Sequence, residues 1–125
     1  MIKVLLDTNF ILIPAYFKVD IYSEFARILE NKFELYVLDK TWDELDRIIE
    51  TQKGKEKTAA RLAKAILEAK KPKTLKTTSK DYVDDIILGL EGYIVATSDR
   101  ELKRELKKKG IKTIVLRQKQ YLVLN

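Results

Sequence analysis

The chain of 125 residues has no cysteine and no histidine. Without Cys there are no disulfides, no thiolate nucleophiles and no zinc–sulfur sites. Without His there is no imidazole acid or base. Ser-His-Asp triads and metal-free cleavage by paired imidazoles are thereby excluded. A metal site must be built from oxygen donors, which favours Mg²⁺ or Mn²⁺ over Zn²⁺ or Cu²⁺. Long apolar runs are also missing, and none approaches the roughly 20 residues needed to span a bilayer. The first residues lack the basic region and cleavage site of a signal peptide, so a cytoplasmic protein with no membrane partner is expected. The length predicts a single domain over residues 1–125, large enough to bury roughly two-thirds of its unfolded surface.

Charge is plentiful and uneven. The chain carries 25 Lys and Arg against 19 Asp and Glu, a net charge of +6. Residues 53–80 hold ten bases and two acids; residues 81–99 hold five acids and no base; residues 100–125 hold nine bases and two acids. Solvation accounts for most single charges. It does not account for an acidic segment without an internal ion-pair partner between two basic ones. An acidic centre with a basic surround suits a metal-dependent enzyme acting on a polyanion.

The pattern predicts strands at Ile2–Leu6, Glu34–Leu38, Tyr93–Thr97 and Ile111–Leu116, a weak one at Thr74–Thr78 and a short edge strand at Tyr121–Leu124. Helices fill the intervals. Pro14 limits the first, Asp20 caps one from Ile21, and Asp39 caps one with Trp42, Leu45, Ile48 and Ile49 inward. Gly54 breaks the pattern, and Lys55–Lys70 is another helix, with Ala59, Leu62, Ala63, Ile66 and Leu67 inward. Ser79 is read as the cap of a helix from Lys80 to Leu90. Ser98 and Glu101 form a capping-box pattern before a helix that Gly110 ends. Strands joined through helices imply a three-layer α/β/α sandwich around a mostly parallel sheet of four to five strands.

In that topology the helices begin at the carboxyl edge of the sheet, where ligands bind in open α/β folds. Asp7 ends the first strand. Glu44 lies early in the helix after the second. Asp84 and Asp85 lie early in the helix before Tyr93, and Asp99 follows the next strand. Four segments deliver a carboxylate to one edge, and such a cluster is tolerated where a cation neutralises it. Acids in a helix's first turn also complement its dipole, so no single member is decisive. Asp84 is preferred to Asp85 because it shares a face with Ile87 and Leu88, leaving Asp85 as a second ligand or a supporting group.

Leu6-Asp7-Thr8-Asn9-Phe10, Asp43-Glu44-Leu45, Val83-Asp84-Asp85-Ile86 and Val95-Ala-Thr-Ser-Asp99-Arg-Glu-Leu resemble the motifs of the PIN-domain family of ribonucleases in order and spacing. The resemblance spans nearly the whole chain. It implies an endoribonuclease using one or two Mg²⁺ or Mn²⁺ ions, with Asp7, Glu44, Asp84 and Asp99 as the acidic quartet and Asp7, Asp84 and Asp99 as the principal ligands. On this resemblance Glu44 would bind a second ion or orient the attacking water. Thr8, Asn9 and Ser98 (or Thr97) are supporting residues. The Asp84–Asp85 doublet, the run Ala96–Arg104 and the tail Leu116–Leu122 are similar to PIN proteins of small-subunit ribosomal RNA maturation. VapC-type toxin ribonucleases share the quartet but usually not the doublet or tail. The expected partner is RNA in single-stranded or loop form, and family members often self-associate as dimers. Lys53, Lys55, Lys57, Lys80, Arg100, Arg104 and Lys119 are candidate backbone contacts. A non-catalytic RNA-binding scaffold is an alternative that the intact quartet disfavours. An aspartyl-phosphate protein is another, disfavoured by Asn9 where Asp-x-Asp phosphatases carry a second acid.

Overall fold

The structure is a computed structural model describing residues 1–77 and 82–125, without the side chain of Asp84. Its elements run β1 (Ile2–Leu6), α1 (Thr8–Ile11), α2 (Ile13–Phe17), α3 (Ile21–Leu29), β2 (Phe33–Leu38), α4 (Asp39–Thr51), α5 (Lys55–Lys70), β3 (Lys73–Leu75), α6 (Val83–Leu88), β4 (Ile94–Ala96), α7 (Arg100–Lys108), β5 (Thr113–Arg117) and β6 (Tyr121–Leu124). The sheet has six strands in the order β3-β2-β1-β4-β5-β6. The first five are parallel and β6 is antiparallel to β5. This is the expected sandwich, with both weak strands formed, so six strands rather than four to five. No helix among the described residues is long and apolar enough to cross a membrane.

Successive side chains of a strand face opposite sides of its sheet. Val4 and Leu6 accordingly join one core with Phe10, Phe25, Leu45 and Leu67, while Leu5 joins the other with Ile87, Leu102 and Leu106. Helices α1 to α5 cover the first face, and α6 and α7 the second. Phe10 stacks on Phe25 at 5.9 Å between ring centres, tying the end of β1 to α3. The central strand β1 is thus buried on both sides, as its apolar sequence requires.

Several local features differ from the sequence expectation. Pro14 sits in the first turn of α2, and the apolar stretch after Asn9 breaks into two short helices around Leu12. Asp39 is the first residue of α4, not its cap; its carboxylate accepts hydrogen bonds from Thr77 N and Oγ1, at 3.0 and 2.8 Å. Leu62 is 46% exposed, because α5 packs through its small Ala59, Ala60 and Ala63 with Leu67. Asp99, not Ser98, caps α7. Thr97 is still part of the extended chain leaving β4, so the start of the helix shifts by one residue. The Ser79 cap lies outside the described residues; the helix expected from Lys80 to Leu90 is shorter, beginning at Val83 after an extended Tyr82 and ending at Leu88.

The two edges of the sheet are finished differently. At β6 the outward amide of Leu122 donates to Glu24 Oε1 at 2.9 Å, and its carbonyl accepts from Arg27 Nη2 at 3.0 Å. Glu24 and Arg27, one turn apart on α3, also pair with each other at 2.9 Å. At the other edge Trp42 Nε1 donates to Thr74 Oγ1 in β3.

Candidate active site

The strand order reverses its sense beside β1: β2 and β3 lie on one side, β4 and β5 on the other. Chains diverge there at the carboxyl edge, leaving a crevice between β1 and β4. Asp7 follows β1, and Thr97 to Asp99 follow β4. The Asp7 amide donates to the Ala96 carbonyl at 3.0 Å, so the two strand ends are held side by side. Above them is a depression of about 500 Å³ lined by Asp7, Thr8, Asn9, Glu44, Asp99 and Tyr82, with Leu12, Ile48 and Val83 as apolar walls.

Asp7 is buried, only 7% exposed. Its Oδ1 accepts from the Thr8 amide at 2.9 Å and its Oδ2 from Thr97 Oγ1 at 2.7 Å. Burial nevertheless pushes its pKa above the ordinary carboxylate value; the hydrogen bonds from Thr97 and Thr8 offset part of this, and the nearby Asp99 charge adds to it. Burial thus disfavours the charged carboxylate, and a cation beside it would favour it.

Thr97 is the hinge between two acids. It is fully buried. Its hydroxyl donates to Asp7 and accepts from the Asp99 amide at 3.1 Å. Asp99 in turn uses Oδ1 to accept from Glu101 N and Leu102 N at the start of α7. The helix dipole favours the charge it carries there. Asn9 takes part through its carbonyl oxygen, which accepts from the Ser98 amide at 3.2 Å. The contribution of Ser98 seen here is its backbone, and the structural hydroxyl is Thr97.

Glu44 reaches the pocket because α4 is pinned one turn earlier. The Thr8 hydroxyl donates to Thr41 Oγ1 at 3.1 Å, and both residues are buried. Thr41 shares the inner face of α4 with Glu44, three residues on. Thr41 carried no signal in the sequence beyond its spacing from Leu45 and Glu44. Tyr82 was likewise not anticipated; it stands at the rim, 84% exposed.

Of the predicted quartet, the crevice brings together Asp7, Glu44 and Asp99. The side chain of Asp84 lies outside what is described, although its neighbour Val83 lines the pocket. Asp85 is exposed and absent from the described lining. Among the described residues no three acids stand close enough to form a ready-made metal site. The donors are nonetheless oxygens only, with one buried carboxylate in excess, which fits a hard divalent cation and no softer metal.

The candidate basic contacts are spread over several surfaces. Arg100 and Arg104 line one groove along α7. Lys55 borders a separate depression with Tyr16 and Leu62. Lys119 lies over the Phe17 ring at 5.8 Å. Lys53 is exposed, Lys57 is half-buried in the first turn of α5, and Lys80 lies outside the described residues.

A model of a PIN-like domain matches residues 4–119. The chain belongs to the PIN-like domain family. Ribonuclease VapC4 of Methanocaldococcus jannaschii is 38% identical over 97% of this chain and 95% of that protein. The solved PIN domain endonuclease Utp24 is similar with a TM-score of 0.80 at 26% identity, over 98% of this chain and 90% of that one. A domain of a functionally unknown M. jannaschii protein shares the fold at a TM-score of 0.60 and 16% identity, covering 94% and 92%. The PIN-like family is thus shown by sequence and by fold.

Proposed function

We propose that this protein is a cytoplasmic, divalent-metal-dependent endoribonuclease that hydrolyses RNA phosphodiesters, acting in ribosomal RNA processing. The observation that carries the reading is the buried Asp7, its charge disfavoured by burial, facing a crevice shared with Glu44 and Asp99, in a chain with no His or Cys. The names of the ribonuclease relative and of the endonuclease neighbour support it.

Asp7, Asp84 and Asp99 would hold Mg²⁺ or Mn²⁺, with Glu44 reaching a second ion or the attacking water. When bound, the metal supplies a water nucleophile at neutral pH and neutralises charge on the departing oxygen. The chain's own part is orientation. Thr97 fixes the spacing of Asp7 and Asp99 with one hydroxyl. Asn9 holds the loop at Ser98 against the end of β1, and Thr8 with Thr41 holds α4 so that Glu44 faces inward. Leu12, Ile48 and Val83 form the apolar wall on one side of the crevice. Hydrolysis leaves a 5′-phosphate and a 3′-hydroxyl.

Purified protein with structured RNA and Mn²⁺ should produce internal cuts with 5′-phosphate ends, stopped by EDTA and absent in Asp7→Asn and Asp84→Asn. Variants that cut as well as the wild type would overturn the site assignment. RNA affinity without metal-dependent cutting would favour a non-catalytic scaffold. The identity to a protein named Ribonuclease VapC4 favours a second reading, a toxin ribonuclease. Growth arrest on expression of the active chain, relieved by the product of an adjacent reading frame, would select it. Accumulation of uncut ribosomal RNA precursor on depletion would select ribosomal processing.

A further inference from the structure

Helix α7 carries Arg100, Lys103, Arg104 and Lys107 at the spacing i, i+3, i+4 and i+7, which places them in one stripe. Leu102 and Leu106 bury the opposite side in the core, so the stripe is held rigidly outward. With Ile111, Thr113 and Asn125 these cations line a groove of about 570 Å³. None of the four is in an ion pair among the described residues; Glu105, off the stripe, pairs with Lys108 instead. The stripe begins one residue after Asp99, which lines the crevice, and runs toward the amino edge of the sheet.

We infer that this groove is the track along which single-stranded RNA leaves the crevice, its phosphates held by the α7 stripe. The inference rests on the ribonuclease reading and names where the flanking nucleotides lie. From Arg100 to Lys107 the helix rises about 10 Å, the length of about three stacked nucleotides. Without a metal the crevice is acidic and repels phosphate, so affinity in that state comes from beside it. A protein partner would seek apolar anchors. This groove offers only Ile111 among polar and cationic groups, which suits a polyanion. Such contacts add affinity without sequence choice.

The test is the triple variant Lys103→Gln, Arg104→Gln, Lys107→Gln, which leaves Arg100 and the acids intact. Fluorescence anisotropy with a 5′-labelled single-stranded RNA of about 20 nucleotides in EDTA reads binding without cleavage. Three lost phosphate contacts lower the slope of log K against log salt by about 2. Affinity at low salt falls at least tenfold. In Mn²⁺ the KM for the same RNA rises similarly while kcat holds. A control with equal charge loss at Lys18, Lys32 and Lys71 changes the slope by much less. If the triple variant keeps the wild-type slope and KM, the track is wrong although the ribonuclease reading stands; an acidic protein on this stripe predicts that outcome. If wild type binds with the expected slope but never cuts, the track stands and the enzyme reading fails. If wild type binds no RNA, both fail.

Discussion

Asp7→Asn should make the protein more stable and inactive at once. The side chain is buried and its charge costs more than its two hydrogen bonds return, since burial is the leading cause of its raised pKa. An asparagine fills the same volume. Its carbonyl still accepts from the Thr8 amide, and its NH₂ faces Thr97 Oγ1, which can accept with its remaining lone pair while its own hydrogen loses the acceptor it has in the wild type. Charge-assisted hydrogen bonds are worth about 1.5–3 kcal/mol each and neutral ones about half that. The substitution therefore loses about 2 kcal/mol of bonding and removes a desolvation cost of several kcal/mol. A net gain of about 1 kcal/mol at pH 7 corresponds to a Tm rise of roughly 3–6 °C for a chain of this size. The pH dependence follows from linkage. With the folded pKa above the unfolded one, the native state binds the extra proton, so the wild type loses stability as pH rises from the ordinary carboxylate value through the raised one. The advantage of Asp7→Asn should then shrink toward zero below the ordinary carboxylate range. Thermal unfolding between pH 3 and 8, without divalent ions, measures this. Cleavage in Mn²⁺ should fall by at least ~100-fold, as befits loss of a metal ligand. A variant that melts several degrees lower at pH 7 would show Asp7 to be a structural cap and would refute the reasoning.

Mn²⁺ at about 100 times its dissociation constant should stabilise the wild type by about 2.7 kcal/mol, read as a Tm increase, and leave Asp7→Asn nearly unmoved. Thr97→Val removes the donor to Asp7 and the acceptor for the Asp99 amide while keeping volume. It should cost about 1–3 kcal/mol by chemical denaturation and shift the acid limb of the pH–rate profile upward, whereas Thr97→Ser preserves both. Thr41→Val breaks the hydroxyl pair with Thr8; activity should drop more than the ~1 kcal/mol stability loss explains, because Glu44 loses its anchor. Asp39 has a pKa held low by the hydrogen bonds from Thr77. Its stabilisation is present above the ordinary carboxylate value and lost as pH falls below it, so Asp39→Asn should flatten the acid side of the stability profile.

Much of this arrangement was legible because it depends on period and order. The apolar runs at Ile2–Leu6 and Tyr93–Thr97 fix β1 and β4, and an acid after each places Asp7 and Asp99 at the same edge. What escaped was the wiring between them. Thr97 and Ser98 are adjacent small hydroxyls, and which one turns inward depends on where β4 stops pairing. Thr41 becomes important only because Thr8, 33 residues earlier, lies against it. Leu62 shows the converse limit. Its spacing fits the apolar stripe of α5, but alanines on the next face allow the neighbouring helices closer, and the leucine is left outside.

The clasp at Leu122 bears on how copies of this molecule can meet. An open edge strand is a template on which another chain can add itself by main-chain pairing. Here the amide and carbonyl that would accept a newcomer are already engaged by Glu24 and Arg27. Those two side chains mimic the polar groups of a seventh strand while belonging to a helix that cannot propagate the sheet. Growth in that direction ends after one residue's worth of pairing. On this flank, self-association is then left to side chains, such as the exposed Tyr16, Phe17 and Leu62, whose contacts depend on identity and shape. Assembly on this flank is thereby subject to selection residue by residue, whereas backbone pairing would accept almost any strand.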